Sequence, residues 1–330
     1  MPTWFRLRSP IALLIAFGVA LVLAAGAAAA TAATVASSAP PPRVDTTGFP
    51  AGGANPGIFT DTCTRSLTAP NDPIMMPGMT GMSMQHDFFG NPAVNASSTA
   101  AVLRAGSTTC STSADSSAYW TPVIYQNGRA LVPQRTLLYW RTPAASASST
   151  RTMPEGISLI AGNETATAPQ STSVVDWTCT TTTADPRPGR AALPHDCPAG
   201  SQVRLIITFP NCWDGHTMNG RERSGAVYAT RTGCPASHPV HIPQLVLHVT
   251  YPTASGSGIT LSTGPNTQGP PVTGHADFVS GWQQNRMDAD VAACDTAQVR
   301  CGPVKGVDAT PQGANSQHSL SVHFHTNPTQ

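Results

Sequence analysis

The stretch AYWTPVIYQNGRALV, residues 118–132, decides the fold class. Its first half is a run of aromatic and β-branched residues, which favour strands. The Asn127-Gly128 pair that follows is a strong signal for a two-residue hairpin turn, and a return strand should begin at Ala130. The stretch therefore predicts antiparallel strands joined by a tight turn.

Short runs of the same kind recur along the chain, with turn residues between them. They are residues 136–141, 157–161, 174–179, 203–209, 226–230, 244–251, 259–262 and 319–325. The 28 glycines and 31 prolines indicate many turns and few long helices. We therefore predict a mainly β fold, an antiparallel sandwich or jelly-roll-like arrangement with long disulfide-tied loops. One short helix is expected over residues 277–291.

The first 57 residues differ in composition from the rest of the chain. Residues 1–35 combine Arg6 and Arg8 with an apolar stretch and an alanine-rich segment, which is typical of a signal peptide. The alternative is an uncleaved membrane anchor, since the apolar run reaches bilayer length only if the alanines are included. Residues 36–57 are interpreted as a flexible linker. Residues 58–330 are expected to form a single secreted β-rich domain.

All eight cysteines follow the predicted signal peptide, and no C-x-x-C motif occurs. An even number of cysteines in an exported chain predicts four disulfides. Our hypothesis is that neighbours in the sequence pair, which gives Cys63–Cys110, Cys179–Cys197, Cys212–Cys234 and Cys294–Cys301. The predicted location is therefore secreted or extracellular.

Composition and motifs exclude several function classes. Charged residues make up 11% of the chain and the formal net charge is +1, so the basic surface that nucleic acids require is not present. The sequence contains no G-x-S-x-G, no phosphate-binding P-loop and no H-E-x-x-H motif. A membrane partner is expected only through an uncleaved signal segment.

A methionine-rich segment lies ahead of the first confident strand. Residues 71–91 read NDPIMMPGMTGMSMQHDFFGN, with five methionines within ten residues and His86 directly after them. Thioether and imidazole ligands together suit copper, whereas the alternative is an adhesive apolar loop surface. The candidate metal ligands are Met79, Met82, Met84 and His86, completed by His238, His241 or His275.

Three further segments combine a histidine or an aspartate with an aromatic ring and a rigid turn residue. They are FPNCWDGH (209–216), CPASHPVHIP (234–243) and TGHADFVSGW (273–282). The alternative interpretation of each is a turn with a packed ring, and Asp277 could cap the helix that follows. Loops gather at the ends of sandwich sheets, so we expect one polar cleft that contains His86, Asp214, His238 and His275, with Phe89, Trp213 or Trp282 on its wall. The candidate catalytic residues are Asp72, His86, Asp87, Asp214, His238, His275 and Asp277.

The order of these motifs resembles a family of secreted bacterial and fungal proteins that is classed only as a domain of unknown function. The resemblance covers nearly all of residues 60–300 and rests on DPI and PG, HDFFGN, YWTP, FPNCWDG, CP with HPV, and HADF with a later tryptophan. It implies a secreted domain, joined in some proteins to carbohydrate-binding modules, and it supplies no reaction. Members usually carry His-x-His before Phe-Phe-Gly, and Met84 occupies the first of these positions. That change would make a metal site softer, which favours Cu(I), or would weaken an acid–base pair.

Three functions are compatible with the sequence, and whether the protein is an enzyme stays open. The first is a non-catalytic module that binds cell-wall glycan or another extracellular surface, which accounts for the low charge and the aromatic residues. The second is a copper-binding protein that uses the methionine-rich loop and His86. The third is a polysaccharide hydrolase or lyase that uses aspartates and histidines, with Trp213, Trp282 and Phe88 stacked on sugar rings.

Overall fold

The computed structural model of the protein describes residues 56–133, 135–180 and 191–301. The predicted signal peptide, nearly all of the linker and the predicted strand at 319–325 lie outside these ranges. Within them the protein is mainly β with antiparallel sheets, which confirms the predicted fold class. No helix in the described ranges is long and apolar enough to span a bilayer.

Sixteen strands are present in the described residues. In chain order they are β1 (Gly57–Ala69), β2 (His86–Gly90), β3 (Ala118–Pro122), β4 (Ile124–Gln126), β5 (Arg129–Leu131), β6 (Arg135–Thr142), β7 (Ser158–Gly162), β8 (Val175–Cys179), β9 (Val203–Thr208), β10 (Cys212–Trp213), β11 (Ala226–Val227), β12 (Val240–His241), β13 (Gln244–Thr250), β14 (Ile259–Gly264), β15 (Thr267–Gly269) and β16 (His275–Val279). The helices are α1 (Ala100–Arg104) and α2 (Gln284–Asp290), and α2 continues into a π-helical turn, Val291–Thr296. Short 3-10 turns cover Ala144–Ser146, Gly220–Glu222 and Pro271–Thr273.

The strands form three antiparallel sheets. The largest has nine strands in the order β7-β16-β3-β2-β1-β6-β13-β9-β8. A four-stranded sheet has the order β15-β14-β4-β5, and a three-stranded sheet has the order β11-β10-β12. The predicted hairpin is confirmed, since β4 and β5 are joined by Asn127 and Gly128 with φ of 51° and 79°.

The stretch that precedes this hairpin divides between two sheets. Residues 118–125 form parts of two strands, since β3 ends at Pro122 and β4 begins at Ile124. Proline has no N–H to donate to a ladder, and the N–H of Val123 bonds instead to the carbonyl of Gln85 at 2.8 Å. The chain therefore leaves the nine-stranded sheet at this point and enters the four-stranded sheet.

Strand β2 illustrates how the core is divided. Successive side chains on a strand face opposite sides of the sheet. Phe89 packs in the main hydrophobic core with Tyr119 and Trp140, whereas Phe88 packs in a second, smaller core with Trp120. Both phenylalanine side chains are fully buried. The sheet is thus covered on both sides at this position, so polar residues of β2 are also taken out of water.

All four disulfides are present with the predicted pairing. One of them, Cys212–Cys234, ties the three-stranded sheet to the loop before β12. Another, Cys294–Cys301, closes the π-helical end of α2. Three of the bridges join a strand to a loop, and the fourth joins the π-helical turn to the segment that follows it.

The predicted short helix is present, but its start and the position of His86 differ from the prediction. The helix was expected over residues 277–291, but β16 occupies His275–Val279 and the helix begins only at Gln284. Strand β16 pairs with β3 on one side and with β7 on the other, so all five of its residues are buried. Asp277 therefore lies within a strand and caps no helix. His86 was placed before the first strand, whereas it is the first residue of β2, the second strand of the chain.

Candidate metal centre

Two histidines begin strands that flank the same neighbour. His86 begins β2 and His275 begins β16, and both strands pair antiparallel with β3. They therefore run in the same direction, and their first residues lie at the same end of the sheet. The register aligns His86 with Pro122 of β3. Asp277 is aligned with Trp120, two residues earlier on β3 and thus on the same face.

One sheet face therefore carries all three polar side chains. His275 and Asp277 are two residues apart on β16, so they share a face. The backbones of β2 and β16 are separated by one strand, a spacing of about 9.5 Å. The imidazole rings bridge this gap above Pro122, and their centroids lie 5.9 Å apart with an interplanar angle of 89°.

A glycine on the outer side of β16 allows this arrangement. Gly162 of β7 pairs with His275 and has a φ of 83°. A Cβ at this position would lie 2.5 Å from the carbonyl oxygen of Gly274 and 2.8 Å from the Cα of His275. Only a residue without a side chain fits here, because the left-handed backbone and the close approach both exclude Cβ.

Backbone carbonyls fix the tautomers of both rings. The Nδ1 of His86 bonds to the carbonyl oxygen of Asn71 at 2.9 Å, and the Nδ1 of His275 bonds to that of Thr273 at 2.8 Å. A carbonyl oxygen can only accept, so Nδ1 carries the hydrogen in both rings. In a neutral imidazole the lone pair then resides on Nε2, which is the arrangement that metal-binding histidines usually have.

The three side chains converge on one point. His86, His275 and Asp277 each offer a ligand atom, and these atoms all lie within 4.8 Å of one another. The Nε2 of His275 is 3.9 Å from Oδ2 of Asp277, which is too long for a hydrogen bond. Among the described residues, neither the Nε2 of His86 nor Oδ2 of Asp277 has a hydrogen-bond partner. Ten other buried side-chain atoms of the described residues also have no partner, so what distinguishes this cluster is that its ligand atoms converge on one another.

Burial governs the ionisation of the cluster. His86, His275 and Asp277 are 0%, 3% and 1% exposed. Burial and the neighbouring His275 lower the pKa of His86 to about 3, and burial also lowers the pKa of His275. Burial and the charge of Asp72 raise the pKa of Asp277 well above its ordinary value. At neutral pH the cluster thus holds two neutral imidazoles, the form of histidine that binds metals.

Three charged residues surround the cluster. Asp72 is buried, and its Oδ1 accepts hydrogen bonds from the N–H groups of Ile74 and Met75 at 2.9 and 2.8 Å. Burial raises the pKa of Asp72, although these two bonds oppose the effect. Glu164 and Arg223 form an ion pair that acts electrostatically on both His275 and Asp277. Both side chains of this pair are partly exposed.

Asp87 does not belong to the centre although it follows His86. It lies on the opposite face of β2, where its Oδ1 accepts a hydrogen bond from Thr68 at 2.5 Å. Arg65 lies 4.0 Å from the same oxygen. Burial raises the pKa of Asp87 to about 6, and the Thr68 bond and the Arg65 charge only partly oppose this.

Asp214 and His238 lie in a different set of contacts. Oδ1 of Asp214 accepts hydrogen bonds from the backbone N–H groups of His216 and Thr217, and Nε2 of His238 lies 2.6 Å from the carbonyl oxygen of Ser224. Both residues belong to the region of the three-stranded sheet. Of the four residues expected in one cleft, the structure brings only His86 and His275 together.

Two other groups of potential ligands have sulfur atoms that are already bonded. Cys212 and Cys234 lie near His241, but the two sulfurs form a disulfide and Nε2 of His241 accepts the N–H of Cys234 at 3.3 Å. The second group combines Asp61 and Asp115 with another cystine. A disulfide supplies no thiolate ligand. Neither group therefore offers three free ligand atoms, as His86, His275 and Asp277 do.

The exposure of the methionines and aromatic rings bears on the copper and glycan hypotheses. Met79 and Met82 are 49% and 56% exposed, so they lie outside the buried centre, and Met84 is partly buried. Phe88 and Trp282 are buried in the cores and offer no face to a sugar. The expected sugar-stacking surface is therefore wrong for these two rings.

No signal in the sequence marks several of the residues that shape the centre. The carbonyls of Asn71 and Thr273 orient the rings, and backbone groups carry no side-chain signature. Gly162 is one of 28 glycines, and nothing in the sequence distinguishes it. Only the pairing of β7 with β16 shows its role.

Comparison with known families gives a classification without a reaction. A family model described as "Domain of unknown function (DUF1996)" matches residues 72–282. The chain belongs to this family. The match confirms the resemblance seen in the motifs, and it contains all three residues of the centre. No curated protein and no solved structure matches the chain.

Proposed function

We propose that the protein binds a divalent transition-metal ion through His86, His275 and Asp277. The observation that supports this is the set of converging, buried ligand atoms, of which His86 Nε2 and Asp277 Oδ2 have no other partner in the described residues. Two imidazoles and one carboxylate are ligands that suit Zn²⁺ or Cu²⁺. Cu(I), which prefers thioether ligands, has less support because Met79 and Met82 are exposed.

The number of ligands bears on what the ion would do. Structural zinc sites use four protein ligands, whereas catalytic zinc sites use three and keep one position for water or substrate. The group here has three. The proposal is therefore a metal-binding protein whose ion keeps an open position, with Asp72 as the nearest additional carboxylate.

A glycosidase with paired carboxylates has less support than a metal centre. Such enzymes need two carboxyl groups on either side of one glycosidic bond. Asp87 lies on the opposite face of the sheet from Asp277, and Asp214 is bonded to its own turn.

The experiment compares matched variants of the purified protein. Asn places its amide nitrogen near the position of Nδ1, so His86→Asn and His275→Asn keep the bonds to the carbonyls and remove only Nε2. Asp277→Asn removes the anionic ligand at constant shape. Zn²⁺ and Cu²⁺ binding is measured by calorimetry, and the retained metal by elemental analysis.

We expect about one ion per chain in the wild type. Each of the three variants should lose affinity by about 100-fold or more, because loss of a ligand costs more than loss of an outer hydrogen-bond partner. His238→Asn and Asp87→Asn serve as controls and should bind within about twofold of the wild type. Unchanged binding in all three variants would refute the proposal, as would equal losses in the controls.

We also propose that the protein functions outside the cytoplasm. Four disulfides form and persist in oxidising compartments. Amino-terminal sequencing of protein from the culture medium should find a first residue within the alanine-rich segment at 24–35. A chain that stays in the cytoplasm with free thiols would contradict this.

A further inference from the structure

A groove of about 430 Å³ lies beside the three-stranded sheet. It is lined by residues of two loops, 143–149 and 228–233, and by Asn211, His241 and Gln244. None of the three residues of the metal centre lines it. Its volume lies within the range of pockets that hold small ligands.

The groove is held in shape by covalent and hydrogen bonds. The Cys212–Cys234 disulfide closes the segment that contains the 228–233 loop. The hydroxyl of Tyr228 donates to the carbonyl of Thr208 at 2.8 Å, which fixes the ring. The other loop is joined to β12, because the N–H of Arg151 bonds to the carbonyl of His241 at 2.7 Å. A site formed in advance loses less ordering entropy when a ligand binds.

The lining combines hydroxyl groups, two rings and a single cation. Serine and threonine side chains supply the hydroxyls, which come from Ser146, Ser149, Ser173, Thr230 and Thr232. Tyr228 and His241 are partly buried rings on the same lining. No aspartate or glutamate is among the described residues that line the groove, and Arg231 is exposed.

Arg231 gives this lining a preference for negative charge. It has no ion pair or side-chain hydrogen bond with any described residue. Guanidinium recognises carboxylates through paired, charge-assisted hydrogen bonds. Hydroxyls and amides suit the hydroxyl groups of a sugar, and rings can pack on its apolar face.

We propose that this groove binds an oligosaccharide that contains hexuronic acid. Arg231 binds a uronate carboxylate, Tyr228 and His241 contact the sugar ring, and the serine and threonine hydroxyls bond to its hydroxyl groups. This site is separate from the metal centre and does not depend on it. It gives glycan binding a definite place in the fold, away from the buried Phe88 and Trp282.

The test is calorimetric titration with trigalacturonate, and with cellotriose as the uncharged sugar of equal length. We expect saturable binding of trigalacturonate, at least tenfold weaker binding of cellotriose, and weaker binding at high salt because the charge is exposed. Arg231→Gln should lower the affinity for trigalacturonate at least tenfold. Arg129→Gln is the matched control, since Arg129 is exposed on the β4–β5 hairpin.

A second variant tests the groove rather than the charge. Ser149 is exposed on the lining, so Ser149→Trp should fill the groove and abolish binding while thermal unfolding stays unchanged. Asp277→Asn should bind trigalacturonate as the wild type does, which separates this site from the metal centre. Three results would overturn the proposal: a dissociation constant weaker than about 10 mM, equal affinity for cellotriose, or equal losses in Arg231→Gln and Arg129→Gln.

Discussion

Two regions of the molecule contain histidine beside aspartate, and they differ in how much of their bonding capacity is used. In the three-stranded region, Asp214 accepts two backbone N–H groups, and both ring nitrogens of His238 lie within hydrogen-bond distance of oxygen atoms. In the centre between β2 and β16, Nε2 of His86 and Oδ2 of Asp277 have no partner in the described part of the chain.

The same residue types therefore carry different information in the two regions. At the surface, local turns and water satisfy polar groups at little cost. In the interior an unsatisfied polar atom costs about 1–3 kcal/mol, so its presence needs a compensating gain. A bound cation would supply that gain at the centre, and no equivalent need exists at Asp214 or His238.

The largest expected effect comes from the disulfide that holds the three-stranded region. Cys212→Ser with Cys234→Ser should lower the free energy of unfolding by about 3 kcal/mol, because the bridge closes a loop with a sequence separation of 22. Denaturant unfolding measures the loss. Metal binding, measured well below the midpoint, should stay within about twofold because β3 holds the centre independently.

The matched control is removal of the Cys294–Cys301 bridge, which closes the shortest of the four loops, with a sequence separation of 7. By the same dependence on loop length, removing that bridge should lower the free energy of unfolding by about 1 kcal/mol less than removing Cys212–Cys234 does. If the folded Cys212–Cys234 variant lost its metal site, the two regions would be coupled and the comparison would fail.

A smaller effect, directed at the buried centre, is expected from Gly162→Ala. The added Cβ would meet the carbonyl of Gly274 and the Cα of His275 at a positive φ, so we expect about 2–3 kcal/mol of destabilisation. Metal affinity should fall as well, because β7 would push His275 out of register. Thermal unfolding measures the stability, and calorimetry measures the metal affinity.

The variant Gly128→Ala separates the effect of backbone strain from the effect of the close contact that Gly162 makes with β16. Gly128 has a similar φ of 79°, but nothing lies within 4 Å of a Cβ added there. This variant should lose about 1–2 kcal/mol and keep its metal affinity. Equal behaviour of the two alanine variants would show that the close approach of β7 does not matter to the centre.

The strand next to the centre and the three-stranded region should respond to pH with opposite signs. Asp87, buried on the other face of β2, has a pKa raised to about 6 in the folded protein, against about 3.9 in an unfolded chain. The folded state thus binds more protons between these values, and its contribution to stability falls as pH rises from about 4 to 6. Asp87→Asn should remove about 2 kcal/mol of this dependence.

Asp214 represents the other region in the same measurement. Burial acts to raise its pKa, but hydrogen bonds from Thr217 and His216 outweigh burial and lower the pKa to about 2. The stability that it contributes is present above about pH 4 and lost as pH falls towards 2. The free energy of unfolding is measured with denaturant from pH 3 to 7. Asp87→Asn should remove a component that falls with rising pH, and Asp214→Asn should remove one that rises with pH. Components of the same sign would contradict the assignment.

The smallest effect is expected from the methionine-rich loop. The triple variant Met79→Leu, Met82→Leu and Met84→Leu should bind Zn²⁺ and Cu²⁺ within about twofold of the wild type. Stability should change by no more than about 0.5 kcal/mol, as is usual for surface substitutions. A tenfold loss of Cu(I) affinity would show instead that this loop is a copper site of its own.

Much of the fold could be predicted because its signals are local. The Asn127-Gly128 turn, the β-branched runs and the pairing of neighbouring cysteines each depend on a few adjacent residues. The methionine-rich segment shows where local signals end, because its composition suggested ligands but its exposure depends on the rest of the chain. Strand β16 was mistaken for part of a helix, since its two pairing partners lie far away in sequence.

The sequence by itself determined that this is a mainly β, four-disulfide protein of a recognisable family, and it named His86, His275 and Asp277 among its candidates. Only the tertiary structure decided which candidates meet. Strand order brings β2 and β16 to either side of β3, and register sets which face each side chain takes. The pairing of β16 with β3 and with β7 joins residues more than a hundred positions apart, and no local pattern records it.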